Sequence, residues 1–454
     1  MADVHLGAPE SVDQSGIAVG LLAGSSSVPL EATDSQASQR QPQRHRATAA
    51  LVALWALAVL VTAALVDQRY RGAVSGSTGA DFLIYLHAAH LVVAGHNPYQ
   101  GSGAFLYPPT LALLLAPFLH AAPFHVFRAW TVLELAALLL GIGTFVALEA
   151  SKLRAWMQPV LFILCAVTAL HFWPLTVGLF LGQADAFVFA ALMLSAWAAS
   201  RDRPTARGVL IGVAGLLKTW PAAAVVSLCQ KNNERRLRAA AAFVVTILIA
   251  PVLAVVVGGR SGLIDFVKSV ISARSQHLVS DSVWGAPSLL FSKSGLAHPV
   301  VVSAPLQVLS TAALLICVVG LLVVALRTSG DKVMCTWNVT FCIVLLLPVS
   351  HLAYTLYGLP LLWLWVSRIL KSKRLTWQQL LVPAVLFIWW VVQAKAWPDS
   401  GSSSAIGAIH YCVVFCANLV ACSASVIGAR FGQLTAQNDT EWSDSSQVTV
   451  AQSS

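Results

Sequence analysis

Residues 208–229 read GVLIGVAGLLKTWPAAAVVSLC. The stretch is bounded by two basic clusters: Arg201, Arg203 and Arg207 before it, and Lys231, Arg235, Arg236 and Arg238 after it. Basic loops beside membrane spans face the cytoplasm. A segment with both ends on that side crosses an even number of times. Its length is too small for two ordinary crossings, which need about 20 residues each. The reading that fits is two half-length helices broken at Lys218-Thr219-Trp220-Pro221. Irregular backbone at membrane depth is tolerated only inside protein or against a water-filled cavity. A lysine at such a break is costly and marks function, unless it snorkels to a headgroup.

The rest of the chain has the same character. Of its 454 residues, 57% are hydrophobic and only 10% charged, and the mean hydropathy is +0.74. That composition excludes a soluble domain and predicts an all-α multi-pass membrane protein. The apolar runs are continuous rather than alternating, which excludes a β-barrel. The net charge of +9 is read as basic cytoplasmic loops, not as a nucleic-acid surface. The eight cysteines fall nearly all inside apolar runs, so neither a disulfide framework nor a metal site is expected.

Apolar runs near 49–66, 128–149, 156–174, 183–199, 239–257, 300–326, 335–350, 352–367, 376–397 and 405–428 predict about ten crossings besides the broken element. Residues 1–48 and 431–454 are polar and read as disordered cytoplasmic tails flanking one transmembrane domain over 49–430, with no signal peptide. Placing every basic cluster in the cytoplasm leaves 82–122 on the outer surface, as interfacial helices that do not cross.

That outer segment contains DFLIYLHAAHLVVAGHNPYQGSGAFLYPP, residues 81–109. Asp81, Tyr85 and His87 are expected near a polar helix face. The topology also sends Gly182-Gln183, Asp185, Lys218 and Ser350-His351 toward the same side, so these residues can converge on one outward cavity. Chemistry outside the cytoplasm has no nucleoside triphosphate pool and relies on lipid-linked donors. A hydroxyl attacking a sugar on a lipid phosphate needs a base and groups that steady the leaving phosphate. Asp81 suits the first role, Lys218 and His351 the second, and Tyr85, Tyr99 and Tyr107 suit stacking on sugar faces. Blander readings stand beside these. Asp81 caps a helix, His351 is a satisfied helix-end histidine, Gln183 bonds between helices, and His87, His90 and His96 form no metal site.

The order of these features resembles glycosyltransferase family 87, polyprenyl-phosphate-mannose-dependent enzymes of the GT-C superfamily. The matching residues are Asp81, Tyr85, Ala88 or Ala89, Gly95, Pro98-Tyr99, Tyr107-Pro108-Pro109, Gly182-Gln183, and Gly212 through Lys218 to Pro221. Pro348-Val349-Ser350-His351 departs from the family's late motif: it lacks the Trp and its His is displaced. The resemblance spans roughly 50–430. It implies a GT-C-like helical bundle in the plasma membrane and an inverting, metal-independent transfer without a cofactor. It implies Asp81 as general base on the extracytoplasmic side, Lys218 and Gln183 at the donor phosphate, and His351 as a second catalytic candidate. The implied partners are a polyprenyl-phosphate sugar, mannose in the first instance and arabinofuranose in some relatives, and a cell-envelope glycolipid or lipoglycan. The rival of another class is a transporter or flippase, which predicts two halves with matching broken helices. Only one broken element is visible in the sequence.

Overall fold

The computed structural model describes residues 32–75, 78–100, 105–230, 235–272, 281–293, 299–328, 330–372, 377–394 and 410–432. Side chains are described from Thr48 onward, that of Gln378 excepted. Among the described residues the secondary structure is helical throughout. The helices are α1 (Ala32–Val74), α2 (Ala80–Val93), α3 (Thr110–Leu115), α4 (Pro123–Ala150), α5 (Met157–Leu170), α6 (Trp173–Leu181), α7 (Asp185–Ser200), α8 (Pro204–Leu217), α9 (Arg236–Ile247), α10 (Ile249–Ser272), α11 (Gly285–Phe291), α12 (Ala304–Thr328), α13 (Lys332–Leu346), α14 (Leu359–Lys371), α15 (Trp377–Ala394) and α16 (His410–Gly432). Backbone contacts divide the chain into 1–52 and 53–454. Apart from the first part of α1, everything described below belongs to the second unit.

Five of these helices are long and apolar enough to cross a membrane: Thr48–Val74 within α1, α4, α9 with α10, α12 and α16. The chain is an all-α multi-pass membrane protein. The remaining expected crossings are shorter or broken. The run at 156–174 splits into α5 and α6, which bend 61° apart, with Pro174 in the first turn of the second helix. The run at 352–367 is a 3-10 turn, Leu352–Gly358, followed by α14. The apolar content predicted both, but continuity failed where His171-Phe172 and Gly358 interrupt it. Helix α1 begins at Ala32, inside the stretch expected as a tail. Residues 1–31 and 433–454 of the expected tails lie outside the described residues.

Two kinds of helix follow from two kinds of surface. Helices α9, α10 and α12 leave Val245, Val256, Val308, Leu309 and Ile316 exposed, as lipid-facing helices do. Helices α4, α7, α13 and α14 enclose the core. There Phe189 packs against Trp337 and Trp363 at ring separations of 5.7 and 5.9 Å, and Phe145 packs against Trp363 at 5.4 Å. Three of the buried indoles find hydrogen-bond partners inside the protein. Trp363 donates to Thr168 Oγ1 at 2.9 Å, Trp365 to Ser425 Oγ at 3.1 Å, and Trp389 to Asn418 Oδ1 at 2.7 Å. Helix α13 starts on an Asp331 cap, whose Oδ1 accepts from the Val333 and Met334 amides.

Candidate active site

Three interruptions of α-helix converge. The first is the joint between α6 and α7. Gly182 ends α6 in the left-handed conformation, φ 72°. Gln183 N–H returns to Gly178 O at 2.9 Å and Gly182 N–H to Leu179 O at 3.2 Å, the two bonds of a Schellman cap. A Cβ at Gly182 would lie 2.7 Å from Phe82 Cβ. The Gly-Gln pair therefore turns the chain sharply beneath α2. On the other side of that contact, a Cβ at Gly79 would lie 2.5 Å from the Leu181 carbonyl. Two missing side chains bring the start of α2 onto the end of α6.

That approach decides what Asp81 does. It lies in the first turn of α2, whose N-cap is Gly79. Its Oδ2 accepts a 2.7 Å hydrogen bond from Gln183 Nε2. Asp81 is half-buried, and its Oδ1 carries no hydrogen bond to the described residues.

The second interruption is the predicted break after α8. Lys218 stands in extended conformation, and the 3-10 turn Trp220–Cys229 follows. The two half-length pieces read from the sequence are both present. Lys218 is buried, 2% exposed. Its Nζ donates to Asp185 Oδ1 and Oδ2 at 3.0 and 2.9 Å and makes a longer 3.4 Å contact with Gln183 Oε1. It also lies 4.2 Å from the centre of the Tyr354 ring, a desolvated cation–π contact. An ammonium has three protons, and those of Lys218 have three acceptors within the protein. Asp185, in the first turn of α7, is equally buried.

The third interruption is the 3-10 turn Leu352–Gly358. Tyr357 donates to Asp185 Oδ1 at 3.0 Å. Trp220 packs edge-on against Tyr357 at 4.8 Å and tilted against Tyr354 at 5.4 Å. His351, just before the turn, meets Tyr354 edge-on at 5.5 Å.

The tyrosines from the first loop divide. Tyr107 is in edge contact with Tyr85 at 4.9 Å, and its carbonyl accepts from the Tyr99 hydroxyl at 2.9 Å. Tyr99 sits one layer out, against Phe105 and Phe266. Tyr85 was expected beside a polar helix face. It is fully buried, packed also on Trp130. The face carrying Asp81, Tyr85 and Ala88 turns into the protein because the close approach at Gly79 and Gly182 presses it there. The exposed polar residues of α2 and its end are His87, His90 and His96. No group of three His, Cys, Asp or Glu that could hold a metal occurs among the described residues.

The electrostatics follow from this packing. Burial raises the Asp81 pKa above its ordinary value, opposed by the Lys218 charge and the Gln183 hydrogen bond and reinforced by Asp185. Burial, then Lys218, pushes His351 down to about 4 against the pull of Asp185. His351 is therefore a neutral imidazole at neutral pH, not a cation. Beside Lys218, the Thr219 hydroxyl and the Trp220 indole N–H have no hydrogen-bond partner among the described residues.

Of the residues named from the sequence, the structure brings Asp81, Gln183, Asp185 and Lys218 into one hydrogen-bonded group and sets His351 against Tyr354 beside it. Sequence reasoning missed Tyr354 and Tyr357, whose spacing of three in HLAYTLYG was the available signal. It also missed Glu134, the single carboxylate inside an otherwise apolar stretch of α4. Glu134 lines a small cavity with Gln183 and Asp185, and its Oε2 lacks a partner among the described residues.

Residues 105–350, more than half of the chain, match glycosyltransferase family 87. The match contains Tyr107, Gln183, Asp185 and Lys218; it begins after Asp81 and ends one residue before His351. No match was found among curated proteins.

Proposed function

The chain belongs to glycosyltransferase family 87, and on that premise we propose that it moves a sugar from a polyprenyl-phosphate donor to a cell-envelope glycolipid or lipoglycan, on the extracytoplasmic side and with inversion. Mannose is the sugar proposed first, and arabinofuranose is the alternative within the same chemistry. The observation that carries the reading is Asp81: a half-buried carboxylate with one oxygen held by Gln183 and the other unengaged among the described residues.

In the proposed step the acceptor hydroxyl loses its proton to Asp81 Oδ1 as its oxygen bonds to the anomeric carbon. The bond from that carbon to the phosphate oxygen breaks, and its electron pair leaves with the lipid phosphate. Burial raises the basicity of Asp81 toward the working pH, which suits proton capture. The unpartnered Thr219 hydroxyl and Trp220 indole N–H are donors suited to the departing phosphate. Tyr107 and Tyr354 supply aromatic surface near the same point. The exposed Arg201, Arg203, Arg235, Arg236 and Arg238, read as cytoplasmic together with both termini, support the orientation; Arg207 does not count among them, because it is buried and donates to Ser227 and Thr336.

The test is transfer in membranes containing the protein or its Asp81→Asn variant. Radiolabelled polyprenyl-phosphate mannose and polyprenyl-phosphate arabinose serve as donors, with extracted envelope glycolipids as acceptors. Transfer from one donor that disappears in the variant is expected. Wild-type turnover by the variant removes Asp81 from the base role.

A further inference from the structure

A glutamine amide has one face that donates and one that accepts, and nothing in the residue itself decides which way it points. At Gln183 the surroundings decide. Lys218 can only donate, and an ionised Asp81 can only accept. With Lys218 on Oε1 and Asp81 on Nε2, both neighbours are satisfied. The flipped amide would face N–H toward the ammonium and oxygen toward the carboxylate, losing both contacts. Lys218 is itself held by the two Asp185 oxygens, and Asp185 is held by the Tyr357 hydroxyl. The result is a chain of donor-to-acceptor contacts that runs from the 3-10 turn, through α7 and the break after α8, to the first turn of α2.

Resting on the reading of Asp81 as base, we infer that the buried pair Lys218–Asp185 is a positioning device: it fixes the Gln183 amide with Nε2 on Asp81 Oδ2, so that Oδ1 is the oxygen that takes the acceptor proton. Lys218 acts through Gln183 rather than on the donor phosphate, because its protons already have acceptors inside the protein. Tyr357 is the outermost member of the device. The weakest contact is that between Lys218 and Gln183, at 3.4 Å, so the device depends on the pair staying buried.

The readout is the pH dependence of transfer. The base works only when ionised, so activity falls as pH drops through the Asp81 pKa. The groups facing Asp81 are Lys218 and Gln183, which lower that pKa, Asp185, which raises it, and Tyr85, Tyr107 and Tyr354. Lys218 outweighs Asp185 at Asp81. Removing the pair together therefore raises the Asp81 pKa and moves the acid limb to higher pH. Removing the Gln183 amide alone moves it the same way.

The experiment measures kcat/KM against pH and the KM for polyprenyl-phosphate sugar, in the full chain in membranes. The variants are Gln183→Met, the charge-neutral double variant Lys218→Met with Asp185→Asn, and Lys218→Arg. Expected is an acid limb at higher pH in the first two, lower kcat with little change in donor KM, and recovery toward wild type in Lys218→Arg. An unmoved acid limb with a raised donor KM in the double variant overturns the inference and returns Lys218 to the donor phosphate. If the double variant does not fold, Gln183→Met, which removes no charge, decides alone. Activity retained by Asp81→Asn sinks the base reading itself. An inactive Asp81→Asn with an unmoved limb in Gln183→Met sinks only the positioning device.

Discussion

The Gln183 amide donates a 2.7 Å hydrogen bond to Oδ2 of Asp81, a residue 102 positions earlier in the chain. Asp81 sits where a first-turn acid favours the helix dipole, yet its side chain is engaged by Gln183, from another helix joint, rather than by a backbone N–H of its own helix. Replacement by asparagine keeps the shape and removes the basicity. Asp81→Asn should therefore lower sugar transfer by about 10²–10⁴-fold, the usual worth of a general base, while leaving membrane insertion and thermal stability near wild type. Transfer assays paired with a thermal-aggregation curve check both halves.

Gly182 combines positive φ with lack of space, so Gly182→Ala meets two penalties. An alanine at φ 72° is strained, which costs about 1–2 kcal/mol. Its Cβ would also stand 2.7 Å from Phe82 Cβ, and relief requires α2 to move away. Moving α2 carries Asp81 off Gln183. The expected outcome is a lower thermal midpoint together with a loss of transfer larger than the stability change explains. Gly95→Ala is the control. It shares positive φ, 73°, but has open space around it, so it should lose stability without a comparable loss of transfer.

The buried pair Lys218–Asp185 predicts a contrast between single and double substitution. Both side chains are almost fully enclosed. Removing one leaves an uncompensated buried charge, worth about 3–5 kcal/mol of destabilisation, whereas replacing both by neutral groups is commonly close to neutral. Lys218→Met should aggregate at a markedly lower temperature than the double variant with Asp185→Asn. Equal midpoints for the two would show that the pair exchanges with solvent.

Much of this arrangement was legible in the sequence, for identifiable reasons. The apolar runs gave the helical class because a bilayer demands long continuous stretches. The break at Lys218 was legible because charge parity and a proline act locally. Gly182-Gln183 was legible as a pair, though its Schellman geometry was not. What escaped depends on which way a helix rolls and on partners far apart in the chain. Tyr85 turned inward because α2 presses against Leu181, a contact that α2's own periodicity cannot encode. The Tyr357–Asp185 hydrogen bond joins residues 172 positions apart. Continuity of the spans at 156–174 and 352–367 was overestimated for a related reason. Hydropathy counts residues but does not register that His171-Phe172 and the turn ending at Gly358 bend the chain.

His351 gives the last prediction, through its protonation. Burial, followed by Lys218, holds its imidazole at about 4 in the folded protein, against about 6.5 when unfolded. Between those values the unfolded chain binds the proton and the folded one does not, so this group's contribution to stability falls as pH drops from 6.5 toward 4. The groups set against the ring are Lys218, Asp185 and Tyr354. Replacing it by glutamine removes the titration and keeps a polar side chain of similar reach. In detergent, the wild-type thermal midpoint should drop more between pH 7 and pH 5 than that of His351→Gln. The same neutrality means that His351 adds no limb to the transfer profile above pH 5 and meets a leaving phosphate only as a neutral donor. Equal drops in the two midpoints would show that the ring titrates near its ordinary value. It would then carry charge at mildly acidic pH, and a cationic role at the phosphate would be restored.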